Sequence, residues 1–132
     1  MDLNINSPAY YSEIYGVNDA VYNLCKEIRL FVKDKSYSDK VNVIGLCPIV
    51  SPGSEIDKWK EEIKYDLKFS MVIIWKKIDY NLFISSDDHG KCKLMLKCIF
   101  DSIKQVSKKC ELDFNKFEND ILSFLSEQQI YN

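Results

Sequence analysis

From Trp59 to Lys76 the chain alternates with a period of two. Trp59, Glu61, Ile63, Tyr65, Leu67, Phe69, Met71, Ile73 and Trp75 interleave with Lys60, Glu62, Lys64, Asp66, Lys68, Ser70, Val72, Ile74 and Lys76. Eight of the nine members of the first set are apolar, whereas the second begins charged and turns apolar at Val72. A period of two marks a strand with one buried face, and the apolar second set marks burial on both faces further along. Eighteen positions far exceed the usual strand of about 5–6 residues, so a bend, bulge or reversal is expected near Asp66 to Ser70. No Gly, Pro or Asn stands there to specify a tight hairpin. The first set is expected to face a helix-covered core, with Ile63, Tyr65, Leu67, Phe69, Met71, Ile73 and Trp75 inward.

Upstream, VNVIGLCPIV at 41–50 is apolar and β-branched, as in a strand covered on both sides. Gly45 and Pro48 suggest a bulge or an edge, because Pro48 cannot donate to a ladder. A short strand is expected at Leu3 to Asn6, followed by an irregular tyrosine-bearing stretch with Tyr10, Tyr11 and Tyr15. SPGSEIDK, residues 51–58, reads as a loop.

Three segments carry helical periodicity. Between an Asn18 N-cap and about Lys35, Ala20, Val21, Leu24, Cys25, Ile28, Phe31 and Val32 share one side, and Tyr22, Lys26, Arg29, Leu30 and Lys33 the other. Over 91–109, Cys92, Met95, Leu96, Ile99, Ile103 and Val106 form a stripe opposite Lys93, Lys97, Lys104 and Lys108, with Ser85 or Ser86 as cap and Asp87 and Asp88 in the first turn. After a break at Cys110 to Leu112, Asp113 caps a last helix with Phe114, Phe117, Ile121, Phe124 and Leu125 inward and Lys116, Asp120 and Glu127 outward. The order predicts an α+β fold: an antiparallel sheet with an N-terminal helix and two C-terminal helices packed on it, forming a single domain over residues 1–132.

Composition narrows the function. At 132 residues the chain has length for one core, and its 46% hydrophobic and 29% charged content is that of a soluble globular protein. A net charge of −2 excludes a wholly basic nucleic-acid binder, and no apolar run long enough for a membrane helix occurs. The N-terminal stretch lacks a basic leader and an apolar signal core, and five cysteines leave one over from any complete pairing. A cytoplasmic protein with reduced thiols is expected.

No catalytic constellation is complete. His89 is the single histidine, so a small enzyme would have to use it with a cysteine or carboxylate. Its place in SSDDHGK, where Asp87 and Asp88 already serve a helix start, reads more simply as a solvated cap. No paired CxxC or HxxxH supplies metal ligands, the four glycines form no phosphate loop, and no cofactor is expected. The lysine stripe over 91–109 offers a nucleic-acid adaptor surface, but it lacks interleaved aromatics and reads as a solvated helix face.

Two surfaces suit a protein partner. One is acidic: Glu55 and Asp57 in the loop, with Glu62 and Asp66 on the polar side of the long strand among Lys60, Lys64 and Lys68. The other is the outer face of the first helix, where Tyr22 and Arg29 have anchor chemistry.

SPAYYSEIYGVNDAVYNLCKEIRLFVKDKSYSD at 7–39, IGLCPIV at 44–50, WKEEIKYDLKFS at 59–70, KKIDYNLFISSDD and FENDILSFL together resemble small immunity proteins of bacterial polymorphic-toxin systems, most closely the immunity protein forty-four family. The resemblance implies a cytoplasmic α+β protein that binds and neutralises a cognate toxin, and it supplies no catalytic residues. Were that toxin a nuclease with a basic site, the carboxylates would imitate phosphate positions. No membrane partner is implied, and homo-oligomerisation is left open.

Overall fold

In the computed structural model, residues 1–5, 9–10, 19–52 and 60–128 are described, with residues 9–10 described as backbone alone. The elements are β1 (Asp2–Ile5), β2 (Ala9–Tyr10), α1 (Asp19–Val32), β3 (Val43–Val50), β4 (Glu62–Asp66), a 3₁₀ turn (Leu67–Phe69), β5 (Met71–Lys77), α2 (Tyr80–Ser85), α3 (Asp88–Ser107) and α4 (Phe114–Glu127).

The sheet runs β1-β3-β5-β4, and β2 pairs with the far end of β3. β1, β2 and β5 all lie parallel to β3, and β4 is antiparallel to β5. The expectation of an antiparallel sheet is therefore corrected: the fold is α+β with a mixed sheet. Its parallel part arises because α1 carries the chain from β1 back to the start of β3, and a strand that returns through a helix enters parallel. The nearly continuous apolar run of β3 is the residue pattern of such a strand, with β1 and β5 on its two sides. β3 is thus an interior strand. Pro48 sits where pairing on one side passes from β1, which ends opposite Leu46, to β2, which begins opposite Ile49. There the missing N–H is tolerated.

The alternating segment does reverse. The 3₁₀ turn ends in Ser70, whose φ of 54° is left-handed, and Ser70 N–H donates to Leu67 O at 3.1 Å. Ser70 O in turn accepts from Asn42 N–H at 2.9 Å and Val43 N–H at 3.2 Å, tying the hairpin to the start of β3. The pairing sets Ile63 opposite Ile74, Tyr65 opposite Val72 and Asp66 opposite Met71. Odd-numbered residues of β4 therefore share a face with even-numbered residues of β5. The expected inward set is right for Ile63, Tyr65 and Leu67, which pack on the core, and wrong beyond the turn. Val72 and Ile74 are the fully buried pair in β5, Phe69 is 68% exposed, and Met71, Ile73 and Trp75 lie on the other face. Alternation counted through a turn cannot report that the turn itself exchanges the faces.

The core lies between the sheet and the helices. Leu3, Ile44, Leu46, Val72 and Ile74 meet Val21, Leu24, Ile28 and Val32 of α1 and Met95, Ile99 and Ile103 of α3. α4 packs on α3, and its Phe124 stacks on Phe31 of α1 with centroids 4.3 Å apart. Tyr37 OH donates to Asp120 at 2.8 Å, so Asp120, expected on the outer side, is half-buried. Among the described residues, three helices follow the sheet rather than two. α2 is a single short element capped by Asp79, and Asp87 rather than Ser85 or Ser86 caps α3, accepting from Gly90 N–H at 2.8 Å. Asp113 caps α4 as expected. The Asn18 cap falls outside the described residues.

Candidate partner-binding surface

One face of the sheet carries the helices. Strand register alone defines the other. Its rows read Asp2, Val43, Met71 and Asp66; then Asn4, Gly45, Ile73 and Lys64; then Cys47, Trp75 and Glu62; then Ile49 and Lys77. The middle columns, from β3 and β5, are almost wholly apolar, and the outer columns are charged or polar. No described helix lies over this face, and Val43, Cys47, Met71, Ile73 and Trp75 are each left partly exposed. Gly45 lies beside Ile73, where an added Cβ would make ordinary contact at 3.7 Å with Ile73 Cγ1 and Cγ2.

Glu62, Lys64 and Asp66 are all exposed along β4, which forms one margin of the sheet. The Lys64 ammonium lies 5.3 Å from the Trp75 ring, so it covers part of the apolar centre while keeping its head in water. At the start of β4 a notch of about 210 Å³ is lined by Glu61, Glu62, Ile63, Trp75 and Gln105. Glu61 is already engaged, accepting from Lys77 N–H at 3.1 Å and standing 3.6 Å from the Lys76 ammonium. At the opposite end of the strand, Phe69 projects from the 3₁₀ turn with Lys68 5.9 Å from its ring.

The structure thus brings Glu62 and Asp66 together on one face with Met71, Ile73 and Trp75, three side chains that sequence reasoning had turned inward, while Phe69, a fourth, is exposed on the 3₁₀ turn. The signal was present in MVIIW, where both parities are apolar, but deciding which parity faced the helices required the register. Glu55 and Asp57 lie outside the described residues.

The competing surface on α1 is less available. Tyr22 is 55% exposed and Leu30 56%. Arg29, however, is spent within the molecule: its Nε donates to Asp2 Oδ1 at 2.9 Å, Nη2 to Asp2 Oδ2 at 3.3 Å and Nη1 to Asn4 Oδ1 at 3.3 Å. This fork fastens α1 to β1, as an exposed ion pair that is worth about 0–1 kcal/mol.

His89 is exposed in the first turn of α3, and Cys92 one turn on is buried. Burial is the chief cause raising the thiols of Cys25 and Cys98 to about 12, which keeps them protonated at neutral pH and poor as nucleophiles. No disulfide joins any of the five cysteines. Among the described residues, no cluster of His, Cys, Asp and Glu could hold a metal ion, and no helix is long and apolar enough to cross a membrane. The lysines of α3 form an outer face as expected, with Lys97 paired to Asp101 at 3.2 Å.

A family model described as Immunity protein 44 matches residues 1–127. The chain belongs to that family. Comparison with curated proteins and with solved structures returned no match. Membership in an immunity family implies a toxin partner in general.

Proposed function

We propose that this protein is a non-catalytic, cytoplasmic immunity protein that binds a cognate toxin and neutralises it, with Glu62 and Asp66 among the residues that recognise it. The observation that carries the reading is the family match over residues 1–127. The arrangement of the chain supports it. A stoichiometric inhibitor requires a rigid scaffold and a surface whose specificity resides in a few anchors and charges. The scaffold here is a sheet backed by α1 and α3 through side chains with essentially no exposure. Chemistry through His89 has less to stand on, because burial holds the Cys25 and Cys98 thiols in their protonated form rather than activating them as nucleophiles.

The test is co-expression in bacteria with the toxin encoded beside the gene. Wild type and His89→Ala are both expected to restore growth to the same extent. Loss of protection by a folded His89→Ala protein, as judged by circular dichroism, would replace binding with catalysis as the basis of immunity.

A further inference from the structure

We infer that the face of the sheet over which no described helix lies, centred on Met71, Ile73 and Trp75 and edged by Glu62, Lys64 and Asp66, with the exposed Phe69 of the 3₁₀ turn beside it, is where the toxin domain docks. The inference rests on the immunity reading and specifies its surface. Interfaces between proteins have a dry apolar centre and a polar rim, with aromatic residues as anchors. The register builds that arrangement: apolar columns from β3 and β5, and a charged column along β4. Val72 and Ile74 fill the helix side of β5 with no exposure, whereas Met71, Ile73 and Trp75 opposite them each keep part of their surface in water.

The charge pattern selects the occupant. Along β4 the order is carboxylate, ammonium, carboxylate, with Lys64 drawn over Trp75 and the carboxylates of Glu62 and Asp66 exposed. The two positions are four residue steps apart along the strand, about 14 Å. The complementary surface is a protein one that presents an apolar ridge flanked by two cations at that spacing. Nucleic acid is disfavoured, since both carboxylates would face phosphate. A second copy would bring the same excess of carboxylate along β4. Phe69 adds an anchor at one end, and its 68% exposure leaves its ring to be buried by a partner. The left-handed Ser70 that follows it is a conformation non-glycine residues adopt at a cost, held by the carbonyl contacts to Asn42 and Val43.

Binding is measured with the toxin domain encoded by the adjacent gene, inactivated in its own active site, against the full-length chain. Phe69→Ala combined with Ile73→Ala is expected to weaken affinity about 30-fold or more. Glu62→Lys with Asp66→Lys, at exposed positions that folding tolerates, should slow association about 10-fold, most at low salt. Tyr22→Ala with Leu30→Ala on α1 should change affinity less than about 3-fold. In the wild-type complex Cys47, in the same row as Trp75, should be shielded from a thiol reagent relative to the isolated chain. The proposal is overturned if the α1 pair loses affinity while both sheet pairs keep it, if Cys47 reacts equally in complex and alone, or if the isolated chain sediments as a dimer that shields Cys47. A wild-type chain that neither binds nor protects removes the immunity reading, and this one with it; a chain that binds through another face removes this one alone.

Discussion

Ile73 and Ile74 are neighbours in β5 and chemically identical, yet they stand in two different environments. Ile74 has no exposure and meets the helices, while Ile73 faces away from them beside Gly45 and Lys64. The same holds for the whole sheet. Its helix side is a closed core of Leu3, Ile44, Leu46, Val72 and Ile74, and on its other side Met71, Ile73 and Trp75 are partly exposed while Ile49 is buried. What the difference teaches is that hydrophobicity marks two purposes here. On one side it stabilises the fold. On the other it leaves apolar area partly in water, and the proposed docking would gain its free energy by covering that area.

The sharpest way to break this comparison is to truncate each isoleucine. Ile74→Ala should cost about 2–5 kcal/mol of unfolding free energy, because it removes a fully packed side chain and leaves a cavity. Ile73→Ala should cost about 1 kcal/mol, since only part of its surface is removed from water in the isolated chain. Urea unfolding of both variants measures the difference. Equal losses would mean that the second face is packed as the first is, and the recognition argument would lose its footing.

A smaller effect separates the covered side through its titrating groups. Cys25 and Cys98 are raised from 9.0 to about 12, chiefly by burial, and the Tyr37 phenol is raised from 10.0 by burial and then by its hydrogen bond to Asp120. Each has a folded pKa above its unfolded one, so the native state holds the proton more tightly. The stability they contribute is full below about pH 9 and is lost as pH rises and the unfolded chain ionises. Unfolding midpoints measured from pH 8 to 11 should therefore fall. Tyr37→Phe should lower stability by about 1 kcal/mol at pH 8 and lessen the decline above pH 10.

The least disruptive test leaves the fold untouched. At pH 8 a thiol reagent followed by mass spectrometry should modify Cys47, on the sheet face over which no described helix lies, before Cys25 or Cys98. The reason is that the latter two stay protonated against the helices. Faster labelling of Cys98 than of Cys47 would place the open side of the molecule elsewhere.

Much of the fold was readable one element at a time. The stripes of α1, α3 and α4 assigned Val21, Leu24 and Ile28, then Met95, Ile99 and Ile103, then Phe117, Ile121 and Leu125 to the interior, and all are buried. Local rules suffice there because a helix presents one face by its own geometry. The Asp113 cap and the reversal near Asp66 to Ser70 were legible for similar reasons of short range. Part of the site was legible too, since alternation placed Glu62, Lys64 and Asp66 together on one side of a strand. It could not supply their neighbours.

Those neighbours were decided by pairing. Whether β1 and β3 run parallel depends on where α1 returns the chain. Whether Ile73 or Ile74 lies inward depends on the Leu67–Phe69 turn and the left-handed Ser70, which bring odd positions of β4 beside even positions of β5. Arg29 likewise looked like an anchor in the sequence, but folding set it against Asp2 and Asn4. The sequence by itself determined which side chains want burial, through periods of 3.6 and 2 that each element carries alone. Tertiary structure decided which burial is complete and which is only partial, because a sheet's faces are shared among strands distant in the chain, and one turn between two of them exchanges the side that every later residue presents.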